Sequence, residues 1–389
     1  MGANKIRTAI VGCGKVGHTH AGSLQSLPCS EFVAVCDVSA DRTEAYQKKY
    51  HVKAYTDFKK MIMDAGIEMV SICTPHPLHA RFITQAADLG VHVLTEKPLA
   101  SDLKDCDEAI SACHNKKVKL GMISQRRLYP PVVRMREAIQ KGKIGQPVIG
   151  FMIVMGWRSK EYYEMDSWRG KWQTEGGGVM VNQTIHQLDL MQWLMGPIDE
   201  LFGYWDNFNH PTVEVEDTTV AVMRFKNGAV GQFLVSNSQK PGFYGKIHVH
   251  GSSGASVGAQ VEGGSPFIAG VTSQVDPPIN DIWTIPGEEQ FLQQWNEEDR
   301  QFAKQHDIMT FFHNLQIEDF INSIIEDHDP MITGEEARKS VELFTAVYRS
   351  QRDHIPIKFP LKAENDRSDF DGRLSYLPFC LQGIEKKRE

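Results

Sequence analysis

Five short runs, RTAIVG, EFVAVCD, EMVSICT, VHVLTE and VKLGMI, are apolar almost without interruption. Between them the apolar residues recur at helical spacing, which predicts helices over 16–27, 41–50, 57–65, 78–89 and 102–115. Strands without polar alternation belong in a parallel sheet covered on both faces. Their regular exchange with helices implies a doubly wound α/β domain over residues 1–124. The pattern then changes. PVIGFMIVM, TTVAVMRF, AVGQFLVS and KIHVHG are longer and alternate, as strands do in a mostly antiparallel sheet with one solvated or associating face. They place a second α/β domain, built on a large open sheet, over residues 125–360. Within it 251–287 reads as loop-rich, 309–327 and 334–352 read as amphipathic helices, and 361–389 is a polar tail.

Length agrees with two domains, since 389 residues exceed one core of ordinary size. With 41% hydrophobic and 23% charged residues the chain reads as globular. A net charge of −7 speaks against a nucleic-acid partner, which asks for a basic face. No apolar run approaches the ~18 residues a membrane span needs. The first residues lack a signal core, and Ile6 breaks the myristoylation pattern. Seven cysteines without paired spacing, Cys36 and Cys73 among them in strand runs, read as reduced and structural. A cytoplasmic setting is the expectation.

Chemistry enters at AIVGCGKVG. Gly12, Gly14 and Gly17 form G-x-G-x-x-G between a strand and a helix, with Lys15 and Val16 opening that helix. The first glycine permits the turn, the second a close approach of a pyrophosphate, and the third tight helix–strand packing. The phosphates would then face the positive end of the helix. Alone the motif is weak. Asp37, twenty residues after Gly17 at the end of VAVCD, completes it. Its carboxylate can accept both ribose hydroxyls and would repel a 2′-phosphate, so NAD is favoured over NADP, although Arg42 is close by in sequence.

Ligands of an open parallel sheet bind beyond the carboxyl ends of its strands. That rule puts Thr74, Pro75, His76 and His79 of CTPHPLHA near the cofactor, although a rigid turn explains them as well. His76 and His79 lack a third ligand, so no metal is expected. Glu96 and Lys97 of LTEKPLA fall at the same edge. Pro98 disfavours helical geometry at Lys97 and keeps its backbone extended. A simple ion pair at the strand end is the plainer alternative.

These motifs, in this order, resemble the Gfo/Idh/MocA family of NAD(P)-dependent sugar and polyol oxidoreductases. SWRGKWQTEGGGVMVNQTIHQLDLMQWLMG and DPMITGEEARKSVELFTAVYRS are similar to the family's substrate-domain and C-terminal segments, so the likeness spans roughly residues 5 to 360. It implies Lys97 and His186 as the catalytic pair. Asn182 stands where many members carry aspartate, and an amide can orient a hydroxyl but cannot take its proton. Helical spacing puts Asn182, His186 and Asp189 on one face, with Asp189 in support, and Gly196–Pro197 ends the helix. Gly176, Gly177 and Gly178 are expected to admit a ligand closely. Trp168, Arg169 and Trp172 suit a carbohydrate pocket by stacking and bidentate hydrogen bonding, and Arg126 and Tyr129 are further candidates.

The expected activity is NAD-dependent oxidation of a secondary hydroxyl on a sugar, glycoside or cyclic polyol, by a homo-oligomer. Three alternatives are an enzyme that shuttles hydride between two sugars on bound NAD, a glycosidase acting by oxidation and elimination, and a non-catalytic NAD sensor.

Overall fold

The computed structural model describes residues 5–262 and 277–364. The chain divides into two compact units. One comprises residues up to Gln125 together with Ile308–Val341, and the other comprises Arg126–Asp307 with the chain from Glu342 onward.

The first unit is a six-stranded parallel sheet. Its strands are β1 (Ile6–Val11), β2 (Ser30–Cys36), β3 (Lys53–Tyr55), β4 (Met69–Ile72), β5 (His92–Thr95) and β6 (Leu120–Met122), in the order β3-β2-β1-β4-β5-β6. In register Val11 stands beside Ile72, Ile72 beside Thr95, and Thr95 beside Met122. The chain order reverses between β1 and β4, which opens a crevice beyond their carboxyl ends. The apolar runs form strands because both faces are covered: β4 is buried at every position. One cover was not expected in this unit. Helix Ile308–Ile325, assigned from sequence to the 125–360 domain, sends Ile317, Phe320 and Ile321 into the core beside Ile10, Leu24 and Leu94. Phe320 fills the space over Gly121, where a Cβ would lie 2.8 Å from its ring.

The second unit carries an eight-stranded sheet. Its strands are β7 (Pro147–Trp157), β8 (Ile198–Asp206), β9 (Thr218–Phe225), β10 (Val230–Ser236), β11 (Ser238–Gly251), β12 (Ser256–Glu262), β13 (Ile279–Trp283) and β14 (Ile357–Lys358), ordered β13-β12-β11-β7-β10-β9-β8-β14. Only β7 and β10 pair in parallel. The alternation of β9 buries Thr219, Ala221, Met223 and Phe225 and exposes Val220, Val222 and Arg224. On the covered face Gly150 and Gly231 leave room for Met191 and Met195 of helix Ile185–Met195. Two features add to the sequence reading here. The stretch 251–287, loop-rich by its composition, also holds β12 and β13, whose small residues are buried among neighbouring strands; 263–276 falls outside the described residues. Helix Phe291–Gln305 had no counterpart in the sequence reading. No helix among the described residues is long and apolar enough to cross a membrane.

Candidate functional site

The glycine turn follows from its backbone. Gly12 adopts φ +99°, and a Cβ there would lie 2.6 Å from the Cys73 carbonyl group, so only glycine fits. A Cβ on Gly17 would lie 2.6 Å from the Gly12 carbonyl oxygen and 2.7 Å from the Tyr46 hydroxyl, which itself donates to the Gly14 carbonyl at 2.7 Å. Gly14, by contrast, faces open space. It is the N-cap of helix Lys15–Ser26, and no side chain caps that end, which leaves its N–H groups to a ligand. Asp37 is half-buried, and its carboxylate accepts from Cys13 N–H at 2.8 Å and from Ser39 N–H at 2.9 Å. The acid that would meet a ribose thus also anchors the turn that would meet the phosphates. Burial, and then the charge of Asp37, pushes the Cys13 thiol up to about 12, so it stays protonated.

At the ends of β4 and β5 the structure sorts the sequence candidates into two groups. Thr74 is half-buried, with its Oγ1 lacking a hydrogen-bond partner. Pro75 precedes a short turn in which His76 is buried. His79 is fully buried and serves the protein: Nδ1 lies 2.7 Å from the Pro98 carbonyl and Nε2 2.9 Å from that of Thr74. Burial pushes its pKa down, against the pull of those two acceptors. It pins the two strand-end loops together and turns neither nitrogen toward a cofactor.

Glu96 is also structural. Its Oε1 lies 3.0 Å from His20 Nε2 and 3.5 Å from His313 Nε2, and His20 is held in turn by Ser71 Oγ at 2.6 Å. Burial alone would raise the Glu96 carboxyl, but the two histidines outweigh it and hold it well below the usual range. Burial likewise lowers the pKa of His20, against the pull of Glu96. Sequence reasoning missed His20 and His313, because nothing in their spacing ties them to Glu96. These three are the group among the described residues whose ligand atoms, all within 4.8 Å of one another, could hold a metal ion. Lys97 follows directly. It is half-buried, its N–H donates to Glu96 Oε2 at 3.2 Å, and its peptide to Pro98 is cis. The lysine backbone is thereby fixed by a clamped neighbour.

In the second unit the polar residues converge on the segment from Gly170 to Asp189. Residues Val179–Gln183 form a single wide turn, Thr184 leaves helical geometry, and a regular helix runs over Ile185–Met195. His186 and Asp189, three apart in the regular helix, share a face as expected, while Asn182 lies in the wide turn before it. His186 is buried, and Gly196 at φ +92° ends the helix. Asp189 receives Arg127 in a bidentate pair, Nε at 2.8 Å and Nη2 at 2.5 Å. Burial raises the Tyr129 hydroxyl, and Arg126 beside it pulls the other way.

The glycine run is also explained by the protein itself. A Cβ on Gly178 would overlap the Glu216 carbonyl, and one on Gly177 would meet Tyr348 and Val181. These glycines let the chain wrap around buried Glu216, which accepts from Gly178 N–H at 2.8 Å and Met180 N–H at 3.2 Å. Burial pushes that carboxyl up to about 8 despite those hydrogen bonds. Trp172 is buried against Trp205 and Tyr348 and donates to the Glu214 carbonyl, so it is core and not a stacking platform. Trp168 and Arg169 are half-buried and stack, 4.4 Å from guanidinium to ring centroid. Asn182 donates to buried Glu175 at 2.7 Å.

Residues 6–124 match the family model described as an oxidoreductase family with an NAD-binding Rossmann fold. Residues 132–257 match that of the GFO/IDH/MocA C-terminal domain, and together the two cover more than half of the chain. The chain is 25% identical over 376 residues to a scyllo-inositol 2-dehydrogenase (NAD(+)) of Bacillus subtilis, covering 92% of this chain and 98% of that one. It is 29% identical over 256 residues to a myo-inositol 2-dehydrogenase of Thermotoga maritima, covering 64% and 74%. Among solved structures it is similar to the WlbA dehydrogenase of Bordetella pertussis in complex with NADH and UDP-GlcNAcA. There the TM-score is 0.81 and the identity 28%, with 93% of this chain and 100% of that chain covered.

Proposed function

We propose, since the chain belongs to the Gfo/Idh/MocA family of oxidoreductases, that it oxidises a secondary ring hydroxyl of a sugar or cyclic polyol to a ketone and reduces NAD. The family makes it an NAD-binding dehydrogenase acting on CH–OH groups. The substrate class is our reading, supported by relatives named for inositols.

The observation that carries the reading is Lys97. It sits just past β5, at the carboxyl edge where a parallel sheet binds its ligand. Its backbone is held to Glu96, which is itself clasped by two histidines. Such anchoring suits a group that must meet a hydroxyl in one geometry. Bound NAD would supply the hydride acceptor. Gly12, Gly14, Lys15, Val16 and Gly17 would hold its pyrophosphate, and Asp37 would take the ribose and favour NAD over NADP. Lys97 removes the hydroxyl proton, and His186 is the auxiliary acid–base group. A homo-oligomer, associating through the exposed face of the second sheet in a cytoplasmic setting, completes the reading.

Lys97→Met keeps much of the side-chain length and removes the proton carrier. NAD affinity should persist while turnover on inositols and sugars falls about 100-fold or more. A lysine takes a proton only as the free amine, so oxidation should rise with pH and ketone reduction fall. NADH formation by Lys97→Met within a few-fold of wild type would reduce the lysine to a strand-end support.

A further inference from the structure

The second unit buries a cation that, among the described residues, no acid answers. Arg158, at the end of β7, is 7% exposed. Among the described residues it forms no ion pair with a carboxylate. Its guanidinium reaches the Trp157 carbonyl through Nη1 at 3.4 Å, and its Nε is buried without a partner. The guanidinium lies over the Tyr162 ring, 5.1 Å from the centroid, and that of Arg169 lies over the same ring at 4.6 Å. Burial lowers the pKa of Arg158, against Tyr162 and Tyr163 and a hydrogen bond with Tyr162, which pull the other way, but a guanidinium keeps its proton in a protein.

The polar groups around this pair are rich in donors. The Tyr162 hydroxyl faces Arg169 Nη1 at 2.7 Å, the Gln183 amide nitrogen at 2.9 Å and the Asn182 amide nitrogen at 3.4 Å. Two acids stand nearby, and both are engaged. Asp166 accepts from Arg169 Nε at 2.9 Å, and Glu175 accepts from Asn182 and from Gly170 N–H. A buried charge without a counter-ion is costly, and a ligand that carries the opposite charge removes that cost. The planar fork of arginine matches a carboxylate, which it can take through two parallel N–H bonds.

We infer that the substrate is a sugar acid whose carboxylate is bound by Arg158, with Arg169 and the Asn182–Gln183 amides completing the recognition. This deepens the proposed dehydrogenase activity and rests on it. A uronic acid or its glycoside is a substrate of this kind. The carboxylate takes no part in the hydride transfer and serves to orient the ring.

The test compares hexoses with their uronic acids, and with the corresponding 6-phosphates, as substrates for wild-type protein with NAD. Each uronic acid should exceed its neutral parent in kcat/KM by about 10- to 100-fold, the range of a charge-assisted hydrogen bond. Arg158→Gln should collapse that ratio toward unity, and Arg158→Lys should restore part of it. The wild-type ratio does not depend on any variant folding, and thermal melts identify a variant that fails to fold. Equal use of acid and neutral sugar overturns the inference and leaves the dehydrogenase reading intact. Preference for the 6-phosphate overturns the carboxylate assignment. If no sugar of any kind yields NADH, the dehydrogenase reading falls. Calorimetry with glucuronate then decides the Arg158 site separately: weaker binding by Arg158→Gln supports it, and equal or absent binding overturns it.

Discussion

A carboxylate can serve a ligand, the backbone or a proton, and three acids of this chain differ in what surrounds them. Asp37 anchors Cys13 and Ser39 while remaining half-buried. Asp37→Ser should lower NAD affinity and raise NADP affinity relative to it, read by titrating both cofactors; an unchanged ratio means that the acid never meets the ribose. Glu96 is held ionised by His20 and His313. Glu216 is the opposite case: burial keeps its proton up to about pH 8, where an ordinary glutamate releases it near 4.5. Between those two values the unfolded chain binds fewer protons than the folded one, so stability falls as pH rises and levels off above the higher value. Glu216→Gln keeps the shape and removes the titration. Melting temperatures at about pH 5 and pH 8 should show wild type losing more stability across that window than the variant. Equal losses would mean that Glu216 ionises normally.

At the scale of elements, helix Ile308–Ile325 behaves as part of the dinucleotide-binding unit. Phe320 is buried and fills the space over Gly121, so Phe320→Ala should cost about 3–5 kcal/mol. Chemical denaturation followed with NADH fluorescence would check this, and a loss confined to the second unit would contradict it. The strands of the first unit were legible because their apolar runs carry no competing period, and the glycine turn because each glycine answers a steric demand. β12 and β13 were hidden by residues such as Gly258 and Ala259, whose value lies in what packs beside them. The wide turn Val179–Gln183, which holds Asn182, was invisible to a 3.6-residue count. Trp172 shows the same limit from another side. An aromatic residue beside a glycine run reads alike whether it stacks on a sugar or on Trp205. Arg158 carries no motif at all, and only its buried surroundings single it out.

At the scale of the whole molecule, the second sheet leaves apolar side chains exposed on one face, beside the Arg224–Glu200 ion pair. Tyr204 is 60% exposed and Val222 53%, and Tyr204 lies beside Val220, while Val222 is flanked by Phe202 on β8. An exposed apolar cluster of this kind is what the proposed association would cover. Val222→Glu should shift the protein toward monomer in sedimentation equilibrium without lowering its melting temperature; a wild-type monomer would refute the association. The clasp of Glu96 by His313 has another consequence, for synthesis. A ribosome releases His20, Glu96 and Lys97 early, then all of Arg126–Asp307, and only afterwards the helix that bears His313. Domains that are continuous in sequence can fold as they emerge. Here the nascent first unit lacks Ile317, Phe320 and Ile321 for its core and one partner for a buried acid until the late helix arrives. A chain stalled or cut before residue 308 leaves the dinucleotide unit without these contacts, so early termination should yield a fragment that proteases cut faster than the full chain.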